Sequence, residues 1–152
     1  ARKKAEKEAK IQREFEELYQ LIGNRSFVLE AEYLSIARPG KKSVRFMINF
    51  VMIDSAEAVF QYGFDGRNTW NGSGGETFRG KIVEYNLTKN DKRCSVSLMV
   101  EVNTQIGAFE IIFSITSAES ATAWVSGSWG SWGYEGRMVS LKNSRVYVGQ
   151  SL

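Results

Sequence analysis

Two strand-borne glutamates and a set of loop aromatics are the residues of this chain with the means to do chemistry. Glu84 stands in "TFRGKIVEYNLT" and Glu101 in "CSVSLMVEV". Both runs alternate apolar and polar residues and read as strands, so the two carboxylates could face each other across neighbouring strands. A carboxylate pair is what a glycan hydrolase needs. One group protonates the leaving oxygen while the other attacks or activates water, roughly 5 to 10 Å away in an open cleft. Against this stands the ordinary role of a strand glutamate, which faces solvent because an unpaired carboxylate is rarely buried. We expect no enzyme activity, with a glycan-acting hydrolase using the Glu84/Glu101 pair as the alternative.

Other catalytic and metal chemistry is thinly represented. The chain has no histidine, which removes Ser–His–Asp and Cys–His catalysis and most zinc sites. Asp54, Asp65 and Asp91 all fall in predicted turns, and no spacing matches a calcium loop. No metal and no cofactor are expected. The single cysteine, Cys94, excludes an intramolecular disulfide. Its alternation with Val96, Leu98, Val100 and Val102 reads as a buried small hydrophobe.

The aromatics are the stronger candidates. Trp70 sits in the glycine-rich "GRNTWNGSGGETFRG", residues 66–80. Trp129 and Trp132 lie in the duplicated "GSWGSWG", residues 127–133, with Tyr134 just beyond. An indole on a glycine-rich loop offers a flat apolar face and a polar N–H, suited to stacking on a sugar or burying into a partner. The competing reading is that these rings fold back and plug the ends of a barrel, since indole is highly buried on average. Trp70, Trp129, Trp132 and Tyr134 are the ligand-binding candidates, with partial exposure expected for Trp129 and Trp132 and a dry setting for Trp124. The glycine run is not a phosphate loop. It lacks the Lys-Ser/Thr ending and leads into the strand-like "ETFRGKIV" rather than a helix. Its main role is to turn the chain.

The elements that must position these residues follow from periodicity. Residues 1–22 read as a helix with Ile11, Phe15, Leu18 and Ile22 at helical spacing and Tyr19 beside them. Residues 1–10 lack that stripe and form an exposed basic lead-in. Gly23 and Asn24 stop the helix. From Arg25 the period changes to two. "SVRFMINFVMI" puts Val44, Phe46, Ile48, Phe50 and Met52 on one face, and its other face carries Val51 and Ile53, so its far end is covered on both sides. "CSVSLMVEV" and "AFEIIFSI" form the clearest hairpin, and "SRVYVG" adds a last strand or a tail. Eight or nine short strands with regular turns predict a single antiparallel β domain over 23–148, a barrel or a sandwich. An eight-stranded barrel just holds one small ligand. Its inner face would be lined by Phe46, Ile48, Phe50, Leu98, Phe109, Ile111 and Phe113, bulky enough to favour a filled core.

Length and composition bound the rest. The chain has 152 residues, 12% aromatic, with one proline, which suits one folded domain. The net charge of +3 resides in residues 1–10, where Arg2, Lys3, Lys4, Lys7 and Lys10 outnumber Glu6 and Glu8. The rest of the chain is balanced, so no nucleic-acid partner is expected. No stretch approaches the ~18 apolar residues of a membrane span.

Tyr62-Gly63-Phe64, the run Gly72 to Gly75, Phe78, Ile82 and Tyr85, then "FEIIFSI" and Tyr134-Glu135-Gly136 resemble, in that order, a domain-of-unknown-function family of small lipoproteins from Bacteroides-type bacteria. The resemblance covers roughly residues 15–140. Where the family has a proline before the aromatic-glycine turn, this chain has Gln61. The resemblance implies an extracytoplasmic protein, periplasmic or on the outer-membrane surface. It would be tethered by a lipid on an N-terminal cysteine that this chain does not contain, a role Cys94 cannot fill. It implies no enzyme activity and no functional residues to carry over. The expected partner is a protein or a glycan, with the membrane reached only through that anchor.

Overall fold

The computed structural model of the protein describes residues 1–36, 40–64 and 75–151. Helix α1 runs over Arg2–Gly23 and buries Phe15, Leu18 and Ile22. Ile11, expected in the same stripe, remains 45% exposed. It lies one turn before the helix meets the sheet, and residues 1–14 are all exposed. Arg25, at φ 53°, turns the chain out of the helix.

Among the described residues nine strands follow: β1 (Ser26–Ser35), β2 (Lys42–Ser43), β3 (Phe50–Asp54), β4 (Glu57–Gly63), β5 (Gly75–Asn90), β6 (Ser95–Thr104), β7 (Gly107–Ser117), β8 (Ser120–Gly127) and β9 (Gly130–Ser140). Each of β3 to β8 pairs antiparallel with the next. β1 hydrogen-bonds β3 along one edge and β9 along the other, which closes a ring of eight. The two-residue β2 adds to β1 beyond the end of β3. Between the two architectures the sequence left open, the fold is therefore the closed barrel.

Alternation decides which side chains fill it. Phe27, Leu29, Val51, Ile53, Phe60, Phe78, Leu98, Phe109, Ile111, Phe113, Trp132 and Tyr134 point inward and pack into one cluster. Burying each such side chain contributes about 1.5–3 kcal/mol before ordering costs. The rings meet edge to face or stacked, as for Phe27 with Phe113 at 5.6 Å and Phe60 with Phe78 at 5.2 Å. The α1 side chains Phe15, Leu18 and Ile22 join the same cluster and seal one end. There the Tyr85 hydroxyl donates to the Ile22 carbonyl at 2.6 Å, and burial pushes the Tyr85 phenol up. The β3–β4, β5–β6 and β7–β8 turns lie at this sealed end. The end of β4, the start of β5 and the β6–β7 and β8–β9 turns lie at the opposite end, the mouth.

Three expectations need correction. "SVRFMINFVMI" is not one strand, because a single 3-10 turn over Phe46–Ile48 interrupts it. The fully buried Asn49 fixes that break. Its amide donates to Arg45 O and Gly63 O, and its Oδ1 accepts from Gly63 N. Phe46 and Ile48 are only half-buried, and Phe50 faces outward into a second cluster with Val28 and Val59. The interior is served instead by Val51 and Ile53, so this far end is indeed covered on both sides. Cys94 stands in the β5–β6 turn at φ 50°, half-buried beside Gln12 of α1, rather than in a strand.

The chain end covers the second cluster. After a 3-10 turn at Leu141–Asn143, residues 144–150 cross the outer wall in extended form, with Val146 and Val148 against Val28, Phe50 and Val59. This is a tail rather than a strand of the ladder. Tyr147 N donates to Met47 O at 2.6 Å. The buried Gln61 side chain donates to Tyr147 O at 2.8 Å and accepts from Gly149 N at 2.7 Å. Gln61 thus does with its amide what a neighbouring strand does with its backbone.

Candidate functional site

The mouth is built from aromatic residues on β4, β5, the β8–β9 turn and β9. Tyr62 continues the inward face of β4 above Phe60. Glu76 lies opposite it on β5, two residues before the inward Phe78. Trp132 enters from β9 and meets Tyr62 at 5.3 Å and Phe78 at 5.2 Å. Trp129, in the turn, stands edge-on to Phe78 at 5.7 Å and is 48% exposed. Phe64 lies 6.4 Å from Tyr62.

The polar groups of this cluster sit in an unusual setting. Among the described residues, Glu76 Oε2 is buried without a hydrogen-bond partner, and so is Trp132 Nε1. Burial pushes the Glu76 carboxyl above its ordinary range. Burial likewise raises the Tyr62 phenol, opposed by the neighbouring Trp129 indole N–H and reinforced by the Glu76 charge. Deeper in, burial raises the Tyr134 phenol, whose hydroxyl donates to Gln61 O at 2.8 Å.

The four sequence candidates therefore divide. Trp129 is at the surface as expected. Trp132 and Tyr134, 3% and 2% exposed, are interior residues rather than ligand-facing ones. On β9 they take the inward positions, leaving Ser131, Gly133 and Glu135 for the outer face. Trp70 lies outside the described residues. Trp124 is not in a dry interior: it is half-buried on the outer wall, over Gly133, where a Cβ would come within 2.7 Å of its ring.

Glu84 and Glu101 are cross-strand neighbours where the β5–β6 register shifts. Glu101 points outward between the buried Val100 and Val102, and the exposed Glu84 is its cross-strand partner. Neither lines the 660 Å³ groove between α1 and the β7–β8 turn or the 200 Å³ hollow beside Trp124. The pair thus stands on the outer wall of the barrel, away from both of these hollows. Among the described residues, no group of three His, Cys, Asp or Glu side chains is placed to hold a metal ion, and no helix is long and apolar enough to cross a membrane.

Sequence reasoning missed Glu76 as a site residue. The signal was available: in "GGETF" it is two residues from Phe78, so a period of two sends both to the same face.

These features define a closed antiparallel barrel, sealed by a helix at one end and ringed by aromatics at the other. The chain belongs to the family described as a domain of unknown function (DUF4251), which matches it over residues 9–132, as the resemblance implied. The crystal structure of a DUF4251 family protein from Bacteroides eggerthii DSM 20697 is similar to it, with a TM-score of 0.70 at 19% identity, covering 86% of this chain and 90% of that one. That likeness bears on the fold. No curated protein matches the chain.

Proposed function

We propose that this protein is a non-catalytic binding module of a bacterial cell envelope, held there by a lipid anchor upstream of Ala1, and that it engages a glycan or protein partner through its aromatic mouth. The observation that carries the reading is Trp129, a half-exposed indole held edge-on against the buried Phe78. A ring fixed from behind and open in front binds at low ordering cost. The interior supports the same reading. Phe60, Phe78, Phe109 and Trp132 fill the barrel ring against ring, so a small apolar ligand within the barrel is not the favoured occupant.

The test is Trp129→Ala, screened with the unmodified protein against a glycan array and by partner capture from envelope extracts. Binding should weaken by about 2 kcal/mol or more, the behaviour of an interface anchor. Unchanged binding in the variant would overturn the role of the mouth. The compartment is tested separately, by labelling the natural precursor with palmitate. An unlabelled protein in the cytosolic fraction would overturn the envelope reading.

A further inference from the structure

One oxygen of Glu76 has no counterpart among the described residues. Elsewhere a buried carboxylate is fully served: Glu30, 2% exposed, accepts from Arg137 at 3.2 Å and from Ser144 Oγ at 2.8 Å. Exposed Glu57 has Arg79, and Glu135 has Lys41. Glu76 is half-buried, but its Oε2 is shut off from solvent, and among the described residues that oxygen has neither a hydrogen bond nor an ion pair. Tyr62 lies directly across the strand pair from it and Phe78 on the same face, with Trp129 edge-on to Phe78.

A carboxylate oxygen shut off from water with no donor is costly. Two features of the mouth answer to the same ligand chemistry. A carboxylate oxygen lacking a donor accepts from an N–H group and offsets a positive charge. Ring faces attract a cation through their quadrupole. A neutral hydroxyl would satisfy the first need but leave the charge uncompensated and the rings without an electrostatic role. We infer that Glu76, with Tyr62 across the strand pair and the half-exposed Trp129 beside Tyr62, forms a subsite for a small organic ammonium group. The inference rests on the mouth-binding reading above and names the charged part of the ligand it would take.

The test uses the whole chain and ethylammonium chloride as probe, at constant ionic strength, followed by amide shifts of Gly75–Phe78 and the Trp129 indole resonance. Ethanol serves as the neutral isostere and sodium chloride as the salt control. Saturable shifts are expected for ethylammonium alone, with a Kd on the order of millimolar, the ceiling for three heavy atoms. Glu76→Gln should weaken the probe about tenfold, the worth of one charge-assisted hydrogen bond. The same variant should melt no lower than the parent, because it removes an unpaired carboxylate. No saturation, an equal response to ethanol, unchanged affinity in Glu76→Gln, or a clearly lowered Tm would each overturn the inference. The two readings separate cleanly. A neutral glycan lost on Trp129→Ala but indifferent to Glu76→Gln keeps the mouth as a binding surface and removes the ammonium subsite.

Discussion

At the scale of single residues, Glu76 makes stability depend on pH in a definite direction. Burial holds its pKa above the ordinary 4.5, so the folded chain binds that proton more tightly than the unfolded one. The penalty is absent below the unfolded value and sets in as pH rises through the folded value. Tyr62, the titratable group facing it, is raised from 10.0 and stays neutral throughout that range. Glu76→Gln should therefore melt higher than the parent at neutral pH, with the gap closing below about pH 4. Thermal melts of both proteins across that range check it, and a gap that ignores pH would show that charge burial is not the cause. Trp129 and Trp132 should separate in urea unfolding. Trp132→Ala should cost about 3–5 kcal/mol, as for a core aromatic, and Trp129→Ala less than about 1 kcal/mol. The sequence treated these indoles alike because both stand between Gly and Ser. It is the strand register, with Trp132 inside β9 and Trp129 in the turn before it, that divides them.

At the scale of elements, α1 is docked by its second half alone. Removing residues 1–10 should leave Tm nearly unchanged, since every side chain there is exposed. Phe15→Ala should lower stability by about 3–5 kcal/mol. Equal effects in melts of the two variants would show that the basic lead-in, too, is anchored. The helix was legible because a 3.6-residue stripe is a local signal. Its Ile11 was misread because how far a stripe reaches over a sheet is set by the sheet. The chain end is the converse case. "SRVYVG" has strand periodicity, yet its neighbour in space is the outer wall of β3 and β4, bridged by the Gln61 amide. Truncation after residue 143 should expose Val28, Phe50 and Val59, lower Tm and raise binding of an apolar dye. Unchanged dye binding would mean that the tail covers nothing. The double-sided "FVMI" run hinted at such a cover. The interruption by Asn49 was not legible, because its partners at Gly63 lie on another strand.

At the scale of the whole molecule, closure was the part least available to the sequence. Eight or nine alternating strands fit a sandwich as well as a barrel, and the deciding contact pairs Phe27 with Ser140 and Ser35 with Gly133, ends of the β region that no local pattern connects. Gly136 tests whether that seam holds the barrel together. It lies between β1 and β8, opposite Ala31 and Ala121, and a Cβ there would stand 1.9 Å from the Glu30 carbonyl oxygen and 2.8 Å from Ala31 Cα. Backbone cannot yield as a side chain does, so β9 would have to leave β1, and Arg137 would lose its place beside Glu30. Gly133→Ala is the control on the same strand, because its new Cβ meets the Trp124 ring, a side chain on the outer wall with room to tilt. Gly136→Ala should cost at least about 3 kcal/mol and Gly133→Ala about 1–2 kcal/mol. In Gly136→Ala the transition should stay single, with circular dichroism and tryptophan fluorescence coincident, because a ring opened at one seam leaves every inward side chain without its opposite wall. A variant that instead kept its Tm and lost amide protection only along β1 and β9 would show that the remaining strands stand as an open sheet and that closure adds little.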